Sequence, residues 1–126
     1  MEWGLSVRDG YIARWNGAEY DSSPDGAHVR LYSPTGGDGF VQVADGRFRR
    51  GVPIGELEDF FYVRTVCVWR GEPFFVLGES GDWLRLEYRG GRSDVAMRLG
   101  LEPYDTGVYQ IWAPVREVSE IAEEYL

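Results

Sequence analysis

Apolar and polar positions alternate with a period of two along much of the chain, the spacing of strands with one covered face. The clearest case is Trp83-Leu84-Arg85-Leu86-Glu87-Tyr88, where Leu84, Leu86 and Tyr88 fall on one side and Trp83, Arg85 and Glu87 on the other. Upstream, Val63 to Trp69 is β-branched and aromatic, and Pro73 to Leu77 is similarly rich in strand formers; Arg70-Gly71-Glu72 between them predicts a hairpin. Gly78 to Asp82 predicts another reversal, and Val108 to Trp112 a fourth strand. Beyond Pro114 the spacing changes. Val118, Ile121, Ala122 and Tyr125 lie three or four apart, which predicts a short helix packing on the sheet, with proline and acidic residues at its start. Asp94 to Leu99 predicts one more helical turn, ended by Gly100.

The same pattern occurs twice. Tyr11 to Tyr20 aligns with Thr65 to Phe74 through a shared apolar run followed by Trp-x-Gly-x-x-aromatic, and Gly26 to Leu31 aligns with Gly81 to Leu86 through Gly-x-x-aliphatic-Arg-Leu. Gly46 to Phe60 then aligns with Gly107 to Ile121 without a gap. These collinear blocks predict a single domain, 1–126, built from two repeat units, 5–62 and 63–126, with extra residues inserted in the second between Arg89 and Thr106. The expected fold class is mainly β (α+β): two tandem SH3-like bent antiparallel sheet units, each closed by a short helix. Units of about 60 residues are marginal alone, so the two are expected to pack as one pseudo-twofold domain.

Composition narrows the class. A chain of 126 residues with 44% hydrophobic and 27% charged residues is globular, and no apolar run reaches the roughly 18 residues of a membrane span. The N-terminal Met1-Glu2-Trp3-Gly4-Leu5 has no basic segment followed by an apolar core, so a cytoplasmic location is expected. Net charge is -8, shared equally: ten acids and six arginines precede Val63, and eleven acids and seven arginines follow from there. That balance argues against a nucleic-acid partner and favours a basic protein partner. All the basic side chains are arginine, as in a high-GC genome. One cysteine and one histidine exclude an internal disulfide and any multi-thiolate or histidine-rich metal site, and no cofactor is expected.

Candidate chemistry is sparse. His28 aligns with Trp83 in the second copy, which favours a half-exposed strand residue over a general base. Cys67 aligns with Ala13 inside an apolar strand, the setting of an inert thiol. The glycine-rich Ser33 to Gly39 lacks the Lys-Ser/Thr of a phosphate-binding loop, and Asp21 to Gly26 lacks the ligand spacing of a calcium loop, so these are expected as a surface loop and a turn. Among the many carboxylates, Glu56 and Glu117 recur in both copies and are expected to cap helix starts. The aromatics are the unusual feature, with five Trp, eight Tyr and six Phe. Trp15, Tyr20, Phe48 and their counterparts Trp69, Phe74, Tyr109 read as repeated core, whereas Trp3, Tyr32, Phe40, Phe75, Trp83, Tyr104 and Trp112 have no aromatic counterpart and are candidates for a binding surface.

Trp15-x-Gly17 and Trp69-x-Gly71, with the closing segments Val52-Pro53 and Ala113-Pro114 in an acidic frame, resemble the small immunity proteins of polymorphic toxin systems in high-GC Gram-positive bacteria. The resemblance implies a toxin domain as cognate partner, often a nuclease, deaminase or ADP-ribosyl-type enzyme, inhibited by occlusion. The function expected is therefore a non-enzymatic protein-binding module. Its partner-binding residues are expected to be Asp21, Asp25, Asp38, Glu79, Asp82, Trp83 and Glu87, in or beside hairpin loops sharing one rim. The alternative is a small-molecule or anion-binding protein, or an enzyme, using a cleft between the repeats, with Arg30, Arg47, Arg49, Arg50 and Arg85 as anion ligands.

Overall fold

Two-residue turns with forced backbone geometry set the strand pairing. Asn16-Gly17 has φ of 50° and 78°, and Arg70-Gly71 has 50° and 77°, the double left-handed conformation of a type I′ hairpin. Gly26 at 62° and Gly81 at 57° open the next reversal in each half with the single positive φ of a II′ turn. Gly17 and Gly71 thus make turns of one type, and Gly26 and Gly81 turns of another. The computed structural model describes residues 7–126; Trp3, the Met1–Leu5 segment and the first residues of the first repeat unit lie outside the described residues.

The molecule is mainly β, with antiparallel strands β1 (Gly10–Trp15), β2 (Ala18–Asp25), β3 (His28–Ser33), β4 (Val41–Ala44), β5 (Arg47–Pro53), β6 (Asp59–Trp69), β7 (Glu72–Ser80), β8 (Trp83–Tyr88), β9 (Glu102–Asp105), β10 (Val108–Pro114) and β11 (Val118–Tyr125), and one helix, α1 (Ser93–Arg98). The strand order is β4-β5-β3-β2-β1-β6-β7-β8-β10-β9, with β11 paired to β6. The chain divides into two compact units: Gly10–Val63 with Tyr125 and Leu126, and Arg64–Glu124 with the described residues up to Asp9. Among the described residues, no helix is long and apolar enough to cross a membrane.

In the Gly10–Val63 unit, Ala13, Val29, Leu31 and Val52 are buried, backed by half-buried Trp15, Tyr20, Phe40, Leu57 and Phe60. The Arg64–Glu124 unit has a larger core, with Cys67, Trp69, Phe74, Val76, Leu84, Leu86, Tyr88 and Ala113 buried together. The segment between Arg89 and Thr106 adds to that core. Helix α1 buries Val95 and Ala96, and Leu101 follows them in. The helix ends as its sequence predicts: Gly100 takes φ 69°, its N–H donates to Met97 O at 3.1 Å and Leu101 N–H donates to Ala96 O at 3.0 Å, the paired bonds of a Schellman motif.

Three expectations are corrected. Each unit was expected to close with a short helix. Instead Pro53 and Pro114 each lead into a single 3-10 turn, Ile54–Glu56 and Val115–Glu117, and the chain then enters a strand. Val118 to Tyr125 is β11, not a helix. Glu120 sits at φ 53° inside it, which shifts the alternation by one residue and turns both Val118 and Ile121 towards the core of their unit. The helix-like spacing is therefore that of a strand interrupted by one left-handed residue. Second, Glu56 and Glu117 make no side-chain cap at their turns; Glu117 Oε1 accepts the Trp69 indole N–H at 3.1 Å instead. Third, Asp21 to Asp25 belongs to β2, and the reversal is confined to Gly26-Ala27. Pro24 is tolerated there because β2 pairs with β1 only as far as Ser22, so on the β1 side no strand faces its missing N–H.

Candidate functional site

Strand alternation gives β8 two unlike faces. Leu84 and Leu86 are fully buried on one, while Trp83, Arg85 and Glu87 point the other way. Antiparallel register sets Pro114, Trp112 and Gln110 of β10 directly beside Trp83, Arg85 and Glu87, on the same face. Glu102 of β9 lies opposite Gln110. Hydrogen bonds lock this row: Arg85 Nε donates to Gln110 Oε1 at 3.1 Å, Gln110 Nε2 donates to Glu87 Oε1 at 3.0 Å, and Arg85 Nη1 donates to Glu102 Oε2 at 3.2 Å. The Arg85 guanidinium also stands 5.6 Å from the centre of the Trp112 ring. With its partners fixed, Arg85 holds the row rigid while Trp83 and Trp112 keep 48% and 44% of their surface exposed.

The row continues onto β7. Phe75 is opposite Glu87, and the Arg64 and Arg89 guanidinium groups lie 4.8 and 4.9 Å from its ring centre. Both arginines bind Glu124, Arg64 Nε at 3.0 Å and Arg89 Nη1 at 3.3 Å, and their hydrogen bonds hold the Glu124 carboxyl below its usual range. At the other end, the β7–β8 hairpin carries Glu79 and Asp82, neither ion-paired with another described residue. Glu87 and Glu102 thus share the face of two exposed indoles, with Arg85 between them; Asp82 is in the hairpin turn, and Glu79, registered opposite the buried Leu84, belongs to the other face. This is an aromatic face of interlocked arginines and glutamates, and aromatic residues and arginine are the types enriched in protein interfaces. Preorganised rings lose little entropy on binding and dominate interface energetics.

Of the expected binding residues, Trp83 and Glu87 belong to this face, and Asp82 and Glu79 to the hairpin at its end, Glu79 on the side of the buried Leu84. The other three are in the Gly10–Val63 unit. Asp21 and Asp25 are on β2, opposite Tyr32 and His28, and Asp25 pairs with Arg30 at 3.5 Å. Asp38 is in the loop after β3, where its carbonyl accepts from Arg50 Nη1 at 2.6 Å. Asp21 and Glu87 lie within strands, not in loops. Arg85, Gln110, Trp112 and Glu102 complete the face. Trp112 was legible as an aromatic without a counterpart, whereas Gln110 and Glu102 carry no signal until the β8–β10–β9 register is known.

The remaining candidates have other employment. Burial raises the Cys67 thiol to about 11. His28 is exposed on β3 opposite Asp25. Glu58 Oε1 accepts the Gly17 N–H at 2.6 Å, closing the first hairpin, and Glu123 binds Arg8 at 2.7 Å. Of the arginines, Arg50 stacks 4.5 Å from the Trp15 ring centre and Arg47 lies 4.1 Å from that of Tyr32. The Tyr32 hydroxyl is held below its usual range by its hydrogen bond with Ser23, then by Arg47 and Arg30. Among the described residues, no group of three His, Cys, Asp or Glu side chains is placed to hold a metal ion.

A family model described as "Uncharacterised conserved protein UCP033725" matches residues 7–126. No curated protein matches the chain, and no solved structure does.

Proposed function

The chain belongs to that family of uncharacterised conserved proteins, and within it we propose that this member is a non-enzymatic protein-binding module whose interface is the outer face of β8 and β10. The observation that carries this reading is the pair of half-exposed tryptophans, Trp83 and Trp112, held beside a hydrogen-bonded row of Arg85, Gln110, Glu87 and Glu102. The partner is a basic protein. Carboxylates around an aromatic centre steer such a partner in, and the indoles supply the contact energy. In keeping with the resemblance to immunity proteins, the partner is a toxin domain whose active site this face covers, and the encounter takes place in the cytoplasm of a high-GC Gram-positive bacterium.

The two units are, in this reading, copies of one SH3-like bent-sheet motif. Matching I′ and II′ turns, the Pro53 and Pro114 turns, and the internal orders β5-β3-β2-β1 and β10-β8-β7-β6 support it. Function resides where the copies differ: Trp83 stands where the first copy has His28.

Co-expression with the products of neighbouring genes, followed by affinity capture, tests the proposal. Wild-type chain captures a basic protein, and Trp83→Ala or Trp112→Ala weakens that complex by about 2 kcal/mol or more, the loss typical of a buried aromatic anchor. Affinity also falls as salt rises. Capture unchanged by both substitutions together would rule out this face, and capture indifferent to ionic strength would remove the electrostatic part.

A further inference from the structure

The strand order leaves β4 at one end and β9 at the other, and the two terminal strands are composed differently. A terminal strand presents unpaired backbone groups, and proteins commonly blunt such edges with proline or charge. β9, Glu102-Pro103-Tyr104-Asp105, has both. β4, Val41-Gln42-Val43-Ala44, has neither, and all four residues are exposed, Val41 at 67% and Val43 at 42%.

The strand behind this edge is the most basic in the chain. Within a molecule of net charge -8, Gly46-Arg47-Phe48-Arg49-Arg50-Gly51 contains three arginines and no acid. Arg50 is spent on Trp15 and the Asp38 carbonyl. Arg47 and Arg49 alternate onto the opposite face and are exposed, paired across the sheet with Ala44 and Val41 of β4. Arg47 is fixed against the Tyr32 ring, and Arg49 stands opposite Tyr32 on its other neighbour, β3. The face therefore offers an uncharged edge for backbone pairing and, one strand in, two guanidinium groups.

We propose that the outer edge of β4 receives an extended acidic segment of a partner protein, added as a further strand, with its carboxylates reaching Arg47 and Arg49. A strand added to β4 lies roughly 9.6 Å from β5, two inter-strand spacings, a gap that a glutamate and an arginine side chain span together. Backbone hydrogen bonds supply affinity in this mode and the side chains supply selection. A second copy of this chain fits less well: pairing β4 with β4 sets the two β5 strands roughly 14 Å apart, three inter-strand spacings, and β4 itself carries no carboxylate for Arg47 and Arg49 to meet. This surface is separate from the Trp83–Trp112 face and does not depend on its role.

The test uses the full chain and two labelled peptides, one alternating Glu with Val and one alternating Lys with Val. Binding is read by fluorescence anisotropy and location by amide hydrogen exchange. The acidic peptide binds, the basic one does not, and amide exchange slows at Val41 to Ala44. Combined Arg47→Glu and Arg49→Glu weakens the acidic peptide by about tenfold or more, since attraction becomes repulsion at two rim positions. Val43→Glu, which charges the edge itself, weakens it as well. The proposal is overturned by absence of binding at millimolar peptide, or by affinity indifferent to the double reversal. Displacement by inorganic phosphate without protection at Val41 to Ala44 would show an anion site instead. Concentration-dependent self-association protecting those residues without peptide would show a homodimer edge.

Discussion

Single side chains are fixed here by what stands behind them. Tyr88 is buried on the inward face of β8, and its hydroxyl donates to Glu72 Oε1 at 2.9 Å. Burial, and then this bond to a carboxylate, raise the phenol above its usual range, so it stays a donor. Gly90 lies against that hydroxyl, where any Cβ would collide with it. Gly90→Ala should therefore cost about 1–3 kcal/mol, the usual range for forcing extra atoms into a packed site, seen as a lower urea midpoint at unchanged slope. A midpoint equal to that of the wild type would mean that the segment after β8 shifts freely. The glycine is visible in the sequence; the ring that requires it is two residues away and is identified only by the direction in which it points.

At the scale of elements, turn chemistry was legible and strand irregularity was not. Gly17, Gly26, Gly71 and Gly81 announce their turns because few other residues accept positive φ. Glu120 does the same work in β11 without announcing it, at φ 53°. Its conformation made Val118 and Ile121 look like successive turns of a helix. Glu120→Gly should relieve this strain and stabilise the protein by roughly 0.5–1 kcal/mol, allowing for the greater freedom of glycine in the unfolded chain. Chemical denaturation would show it as a raised midpoint, and a lowered one would mean that contacts of the glutamate outweigh its backbone cost. Helix α1 is the opposite case. Its stop at Gly100 was readable, but its role in covering the core through Val95 and Ala96 was not, because so short a helix has no apolar periodicity long enough to show which side is covered.

For the molecule as a whole, charge organises the outer faces. Glu124 joins Arg64 of β6 to Arg89 beyond β8, with Phe75 between the two guanidinium groups. Its folded pKa lies below the ordinary 4.5. The contribution to stability is accordingly complete above about pH 4.5 and lost as pH falls through the lower folded value. Glu124→Gln should lower the thermal midpoint near neutrality, and the gap from wild type should narrow on acidification through that range. A gap constant with pH would assign the loss to packing instead of charge. The same logic of placement explains the candidate site: Glu87 and Glu102, distant in sequence, join one row with Arg85 only where β8, β10 and β9 stand side by side.

The sequence by itself determined the β class, the hairpins, and the inner and outer faces of β8, because these follow from local periodicity and from turn residues with few allowed conformations. It also singled out Trp83 and Glu87. Only tertiary structure decided that Trp112, Gln110 and Glu102 join them, that Arg85 holds the row together, and that β11 is a strand. The reason is physical: which side chains share a face of a sheet depends on the register between strands distant in the chain, and a one-residue change of register exchanges every neighbour.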